Sequence, residues 1–134
     1  RTQSGLLFTV ETLDRLLASG RVGRGQAIVG RFLDLKPILG LKPDGNVVAF
    51  GKARGSRRAR SVLLDMLRRQ IPAGAKKLRF GIVQVGAPGL AEGIAADLRS
   101  AYGEDVEILT APATPVIATH LGIGAWGSAY MVED

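Results

Sequence analysis

The amino-acid sequence predicts an α/β fold of two layers, in which helices pack on a mixed or antiparallel sheet. Three observations favour this class. Residues Leu78–Val85 form an apolar run of strand length, and residues 59–71 carry apolar side chains at helical spacing. The turn sequence Pro43–Asn46 joins two short apolar runs, as in a β-hairpin. Neither a repeat nor a linker is visible, so we expect a single domain over residues 1–134.

The first part of the chain is predicted to alternate strands with short helices. Leucines at helical spacing indicate the first helix, and Gly20 suits a left-handed helix end. Pro37 stands near the start of a strand, where its missing N–H is tolerated. The predicted elements are strand Leu6–Val10, a helix from Glu11 or Thr12 to Ala18, helix Gly25–Asp34, strand Lys36–Leu41 and strand Val47–Phe50.

The second part is predicted to begin with the longest helix. Ser56 is a suitable N-cap, and the residues Pro72–Gly74 end the helix. Its apolar stripe consists of Ala59, Val62, Leu63, Met66, Leu67 and Ile71. The remaining predicted elements are strand Leu78–Val85, a turn at Gly86–Gly89, helix Leu90–Tyr102 and strands Val106–Leu109, Val116–Thr119 and Ser128–Val132.

The composition excludes several kinds of chemistry. The chain has no cysteine and one histidine, which excludes disulfides, cysteine-ligated zinc and a multi-histidine metal site. We therefore expect no metal and no cofactor. The first residues show no apolar signal-peptide core, and a cysteine-free chain suits the cytoplasm, so we expect a cytoplasmic protein. The chain starts at Arg1 rather than at methionine, which fits a fragment or a processed product.

The segment Ile108–Val132 contains no charged residue and is long enough to raise the question of a membrane span. Pro112 and Pro115 interrupt it early, and three glycines interrupt it late. We expect two buried strands joined by a glycine loop, and no stable membrane insertion.

Positive charge is concentrated in one segment. Between Lys52 and Arg79 there are ten Lys and Arg residues and one acid, Asp65, whereas the rest of the chain has a net charge of −3. Such a segment favours an anionic partner.

Several sequence blocks, in this order and at these separations, resemble the C-terminal domain of the DegV family of bacterial fatty-acid-binding proteins. The resemblance covers essentially the whole chain. The blocks are Thr12-Leu13-Asp14-Arg15-Leu16, Ser19-Gly20-Arg21-Val22-Gly23, Phe32-Leu33-Asp34-Leu35-Lys36-Pro37-Ile38-Leu39, Lys52-Ala53-Arg54-Gly55-Ser56-Arg57-Arg58-Ala59 and Thr119-His120-Leu121-Gly122-Ile123-Gly124-Ala125-Trp126-Gly127.

The resemblance implies a binding site for the carboxylate of a long-chain fatty acid. A lone histidine more often has a structural role, held in place by local hydrogen bonds. Here the glycines beside His120 allow the backbone to approach a ligand closely and can point N–H groups at an anion, which favours a binding role. The chain departs from the family pattern at three positions: Ile123 stands where proline is common, Trp126 where leucine is usual, and Ser19 where the family has glycine. The larger Trp126 side chain is expected to reshape the pocket mouth. The implied lipid-binding residues are His120, Gly122, Gly124, Arg21 and Arg54, with Ile28, Phe32, Leu33 and Ile38 as acyl contacts.

The resemblance also implies a carrier rather than an enzyme. Such proteins enclose a fatty acid between two domains and present its carboxylate to a separate fatty acid kinase, which forms an acyl phosphate. The N-terminal domain, with the serine and threonine that also hold the carboxylate, has no counterpart here. This chain is therefore expected to supply half a site, and the exposed apolar surface could drive self-association.

The basic residues at the start of the longest helix are candidates for partner binding. Positive charge there opposes the helix dipole, and clustered cations at a helix N-terminus favour binding of an anion. A solubilising surface is an alternative explanation. An alternative function is nucleic-acid binding, supported by Arg57, Arg58, Arg60, Arg68 and Arg69. Against it, no aromatic residues are interleaved with these arginines to stack on bases. A standalone enzyme is a third alternative, but neither a phosphate loop nor a nucleophile elbow is visible.

Overall fold

The computed structural model describes residues 2–20, 35–42 and 44–133, which contain six strands and four helices. The elements in chain order are β1 (Thr2–Thr9), α1 (Asp14–Ala18), β2 (Leu35–Leu41), β3 (Val47–Arg54), α2 (Ser56–Gln70), β4 (Lys77–Gln84), α3 (Pro88–Tyr102), β5 (Glu107–Pro112), α4 (Pro115–Leu121) and β6 (Trp126–Glu133). The helix predicted over Gly25–Asp34 lies outside the described residues.

The strands form one mixed sheet in the order β3-β2-β1-β6-β4-β5. All neighbouring strands are antiparallel except β4 and β5, which run parallel and are connected through α3. The predicted two-layer α/β class is thus confirmed, and of the two predicted sheet types the mixed one is correct. Strands β1 and β6 pair along their whole length, from Thr2 opposite Glu133 to Thr9 opposite Trp126.

The main hydrophobic core lies between one face of the sheet and helices α2 and α3. Because side chains alternate along a strand, Leu7 points into this core while Phe8 points to the opposite face. The stripe predicted on α2 is confirmed: Ala59, Leu63 and Leu67 are buried, and the other three stripe residues pack at the margin of the core.

The hairpin between β2 and β3 is also confirmed. The Asp44 carboxylate accepts a hydrogen bond from the Asn46 backbone N–H at 2.9 Å, which closes the turn and lowers the pKa of Asp44 below its ordinary value. Gly45 completes this turn with a φ of 87°, a conformation that favours glycine.

The predicted N-cap of α2 is wrong by one residue. Gly55 holds the cap position with a φ of 83°, and no side chain caps the helix. Ser56 is the first helical residue, and its hydroxyl donates to the Glu11 carboxylate at 3.5 Å instead of capping. A left-handed backbone conformation selects glycine more strongly than a cap selects serine.

The strand predicted over Val116–Thr119 is also wrong, because these residues belong to helix α4. Thr114 caps the helix by accepting a hydrogen bond from the Ile117 N–H at 3.5 Å, and Pro115 occupies the first helical turn. This threonine–proline start is typical of helices and outweighs the strand preference of Val116 and Ile117. The uncharged C-terminal segment thus contains most of β5, helix α4 and most of β6, so its two strands are joined through a helix as well as the glycine loop. No described helix is long and apolar enough to cross a membrane.

Candidate functional site

Among the residues that the structure describes, those on the face of the sheet opposite α2 and α3 cover it only in part. A small second core, which includes Phe8, Leu16 and Val85, closes the end where α1 and α4 lie. Beyond it, large apolar side chains remain exposed: Leu6 is 38% exposed and Leu109 is 69% exposed. A contiguous apolar surface of this kind is typical of a binding face.

A groove of about 250 Å³ lies on this face, and we call it the proximal groove. Its walls come from β1, β4, β6, the two short helices and the β2–β3 hairpin. Apart from backbone groups, the lining is apolar with one exception, the half-buried imidazole of His120. Residues that line it include Leu6, Phe8, Leu16, Val83, Val85 and Trp126.

His120 is positioned by the last turn of α4. The helix ends at Gly122, which has a φ of 86° and donates its N–H to the Ala118 carbonyl at 2.9 Å. The Arg15 guanidinium donates to the Thr119 carbonyl at 3.3 Å, so a cation from α1 holds the carbonyl end of this helix. These bonds hold the end of α4 that carries His120, whose side chain lines the proximal groove.

The glycines after His120 do not supply free N–H groups as expected. The Gly122 N–H is used inside the helix end, and Gly124 donates to the Val85 carbonyl at 2.8 Å. Their role is spatial instead. A Cβ at Gly124 would lie 2.6 Å from the Glu11 side chain, and a Cβ at Gly122 would lie 3.1 Å from Arg15. The glycines therefore leave room for two charged side chains to pack against the loop.

A small polar cluster surrounds Glu11 at this end of the sheet. The Lys36 ammonium lies 2.8 Å from the Glu11 carboxylate and also donates to the Glu11 backbone carbonyl at 3.3 Å. The hydroxyl of Ser56 completes the cluster. Sequence analysis missed Glu11, Arg15 and Lys36, because their partners are distant along the chain and no local pattern marks them.

The predicted arginines lie elsewhere. Arg54, Arg57, Arg58 and Arg60 line a larger, wide cavity of about 1140 Å³ beside α2 and α3, which we call the basic groove. Within it, Arg60 and Asp97 form an ion pair of 2.6 Å. The structure therefore groups Arg54 with the predicted partner-binding residues rather than with His120 in one groove.

The remaining predicted contacts are separated from His120 or lie outside the described residues. Ile38 is fully buried in the main core on the helix side of the sheet, so it does not line the proximal groove. Trp126 borders that groove but is itself buried in the main core, so its expected effect on the pocket mouth stays a prediction. Arg21, Ile28, Phe32 and Leu33 lie outside the described residues. In the described ranges, no three His, Cys, Asp or Glu side chains are grouped to hold a metal.

The fold and this site together define a two-layer α/β domain that presents an apolar groove with one imidazole in its lining. Such a groove can accommodate an elongated apolar ligand with a polar head. Residues 1–133 match the family model described as "Uncharacterised protein, DegV family". The chain belongs to the DegV family.

Known relatives and solved structures agree with this assignment. A fatty acid-binding protein from Thermotoga maritima is 32% identical over 90% of this chain and 41% of its own length. A fatty-acid-binding DegV-family protein from Thermus thermophilus superposes with a TM-score of 0.85 at 32% identity, over 98% of this chain and 46% of that one. A DegV-family protein from Eubacterium eligens, loaded with heptadecanoic acid, gives a TM-score of 0.77 at 26% identity, over 97% and 45% of the two chains. The chain thus spans less than half the length of these proteins.

Proposed function

We propose that this domain binds a long-chain fatty acid, with the acyl chain on the open sheet face and the carboxylate near His120. The observation that carries the proposal is the proximal groove, in which one imidazole is the single titratable group of an otherwise apolar lining. Either tautomer of a neutral imidazole has an N–H that can donate to a carboxylate oxygen. The fatty-acid-binding relatives in Thermotoga maritima and Thermus thermophilus support the same ligand class.

The domain is proposed to form the C-terminal half of a two-domain carrier. The relatives are more than twice as long as the part that this chain matches, and the open sheet face leaves apolar side chains such as Leu109 exposed. An N-terminal domain of the same protein would cover this face and enclose the ligand. The carrier would hold the fatty acid without reacting with it and without a cofactor.

Native mass spectrometry of the purified full-length gene product tests this function. We expect one co-purified fatty acid per protein molecule, released on denaturation and identified by its mass. The 134-residue chain, purified in the same way, is the control and should retain little lipid, since its groove is open on one side. A full-length protein that neither carries nor takes up any fatty acid would contradict the proposal.

We further propose that the basic groove docks an acidic surface of a separate fatty acid kinase, which would phosphorylate the bound carboxylate. Arg57 and Arg58 are exposed on the first turn of α2, where no acidic residue offsets them. Among the described residues neither has a carboxylate within 4.0 Å, whereas Arg60 is paired with Asp97. Two unpaired cations at a helix N-terminus leave a positive surface that favours an anionic partner.

Stopped-flow association with the cognate kinase tests this docking. Reversing Arg57 and Arg58 to glutamate should slow association and weaken its salt dependence, because exposed charges act mainly on the encounter rate. Reversing Lys76 and Lys77, which are exposed at the start of β4, is a control with the same change in net charge. Equal effects of both pairs would contradict a localised docking site. Tight RNA binding that falls steeply with salt would instead favour the nucleic-acid alternative.

A further inference from the structure

Gly81 occupies the middle of β4, and nothing in its own surroundings requires a glycine. The strand pairs continuously with β5 and β6 around it, without a bulge, and Gly81 is not among the glycines of positive φ. A Cβ at this position would meet no atom within 4 Å. Glycine in a strand interior is unfavourable, and where no bulge or bend explains it, it often marks the close approach of a ligand.

The position of Gly81 relates it to the proximal groove. Side chains alternate along β4, so Val85, Val83, Gly81 and Arg79 share the open face in that order. Val83 and Val85 line the proximal groove with His120. Gly81 opens a second depression of about 550 Å³, which we call the distal trough. Leu6 lines both, so the two depressions are adjacent on the open face.

The distal trough is apolar along its floor and ends at charged groups. Its floor is formed by Gly81 and its neighbour on β6, Ala129, with Leu109 and Met131 at the sides. At the far end, Arg79 and Glu107 form an ion pair of 2.7 Å. From Val85, which directly follows β4, to Arg79 the extended chain covers about 20 Å, and Gly81 lies about two thirds of the way along this distance.

We propose that Gly81 determines which acyl chain lengths this domain accepts. The proposal rests on the proposed fatty-acid binding and extends it to the distal end of the ligand. The carbons far from the carboxylate cross the sheet over Gly81, where a side chain would occupy their space. The Arg79–Glu107 pair marks the end of the path, because methylene groups gain nothing from displacing water around exposed charges.

Binding of a series of saturated fatty acids to the delipidated full-length gene product tests this role. The probes run from octanoic to octadecanoic acid, and the variants are Gly81→Leu and Gly81→Val. Valine favours strands and provides a second variant if leucine disturbs folding. Thr110→Leu is the matched control, since Thr110 is exposed on the neighbouring edge strand and alternates with Leu109 to the other face.

We expect both Gly81 variants to bind octadecanoic acid about tenfold or more weakly and octanoic acid unchanged, because only the distal methylenes lose their site. The control should match the wild type for every acid. Unchanged affinity for long acids would overturn the inference, and so would an equal loss for all lengths, which would identify the trough as a contact between domains. A wild-type protein that binds no acid of any length would instead refute the proposed function itself.

Discussion

The two faces of the sheet have the same apolar chemistry and different surroundings. Leu6 and Leu7 are neighbours on β1, yet Leu7 is fully buried under the helices while Leu6 is 38% exposed on the open face. On the covered face, apolar side chains contribute to stability by leaving water. On the open face, a similar gain is available only when a ligand or another domain covers the surface. Residue type alone therefore does not separate a core residue from a binding residue.

The largest predicted difference between the faces is in stability. Leu63 of α2 is fully buried in the main core, so Leu63→Ala should lower the free energy of unfolding by about 2–5 kcal/mol. Leu109→Ala removes the same atoms from the open face, where the side chain is 69% exposed, and should change it by about 0.5 kcal/mol or less. Denaturant unfolding of both variants measures the contrast. Similar losses would mean that the open face is already closed in solution.

The next predicted effect concerns ligand binding. His120→Ala should weaken fatty-acid binding by the full-length gene product by about 1–3 kcal/mol, because a hydrogen bond to a charged group is lost. Calorimetry on delipidated protein measures this difference. His120→Gln keeps an N–H donor and should lose less. Equal affinities for the wild type and the alanine variant would leave His120 with only a structural role in α4.

The sequence predicts elements well where one local pattern dominates. Helix α2 follows from an apolar stripe at helical spacing, and the β2–β3 hairpin follows from its turn residues. Val116 and Ile117 favour a strand over the residues of α4, but the cap at Thr114 starts a helix there. In such a short segment, the capping residues carry more information than the β-branched ones.

The candidate site is less predictable because its residues are assembled by tertiary contacts. The bond from Arg15 to the Thr119 carbonyl joins residues that are 104 positions apart, and no local signal marks it. Ile38 lies in the main core rather than at the groove. The sequence does not show which face of the sheet a strand residue occupies, because that depends on where the helices pack. Only His120 was marked by its sequence surroundings, as the single histidine beside closely spaced glycines.

The smallest predicted effect is confined to α4, which has no buried residue among those described for it and depends on its ends. Thr114→Ala removes the N-cap and should destabilise this helix by about 0.5–2 kcal/mol, towards the lower limit because the capping bond is long at 3.5 Å. Amide hydrogen exchange should become faster in α4 and stay unchanged in α2, since the two helices lie on different faces. Thr110→Ala, an exposed threonine outside any cap, is the control. Uniformly faster exchange in both helices would show that the two faces unfold as one unit and would remove the distinction between them.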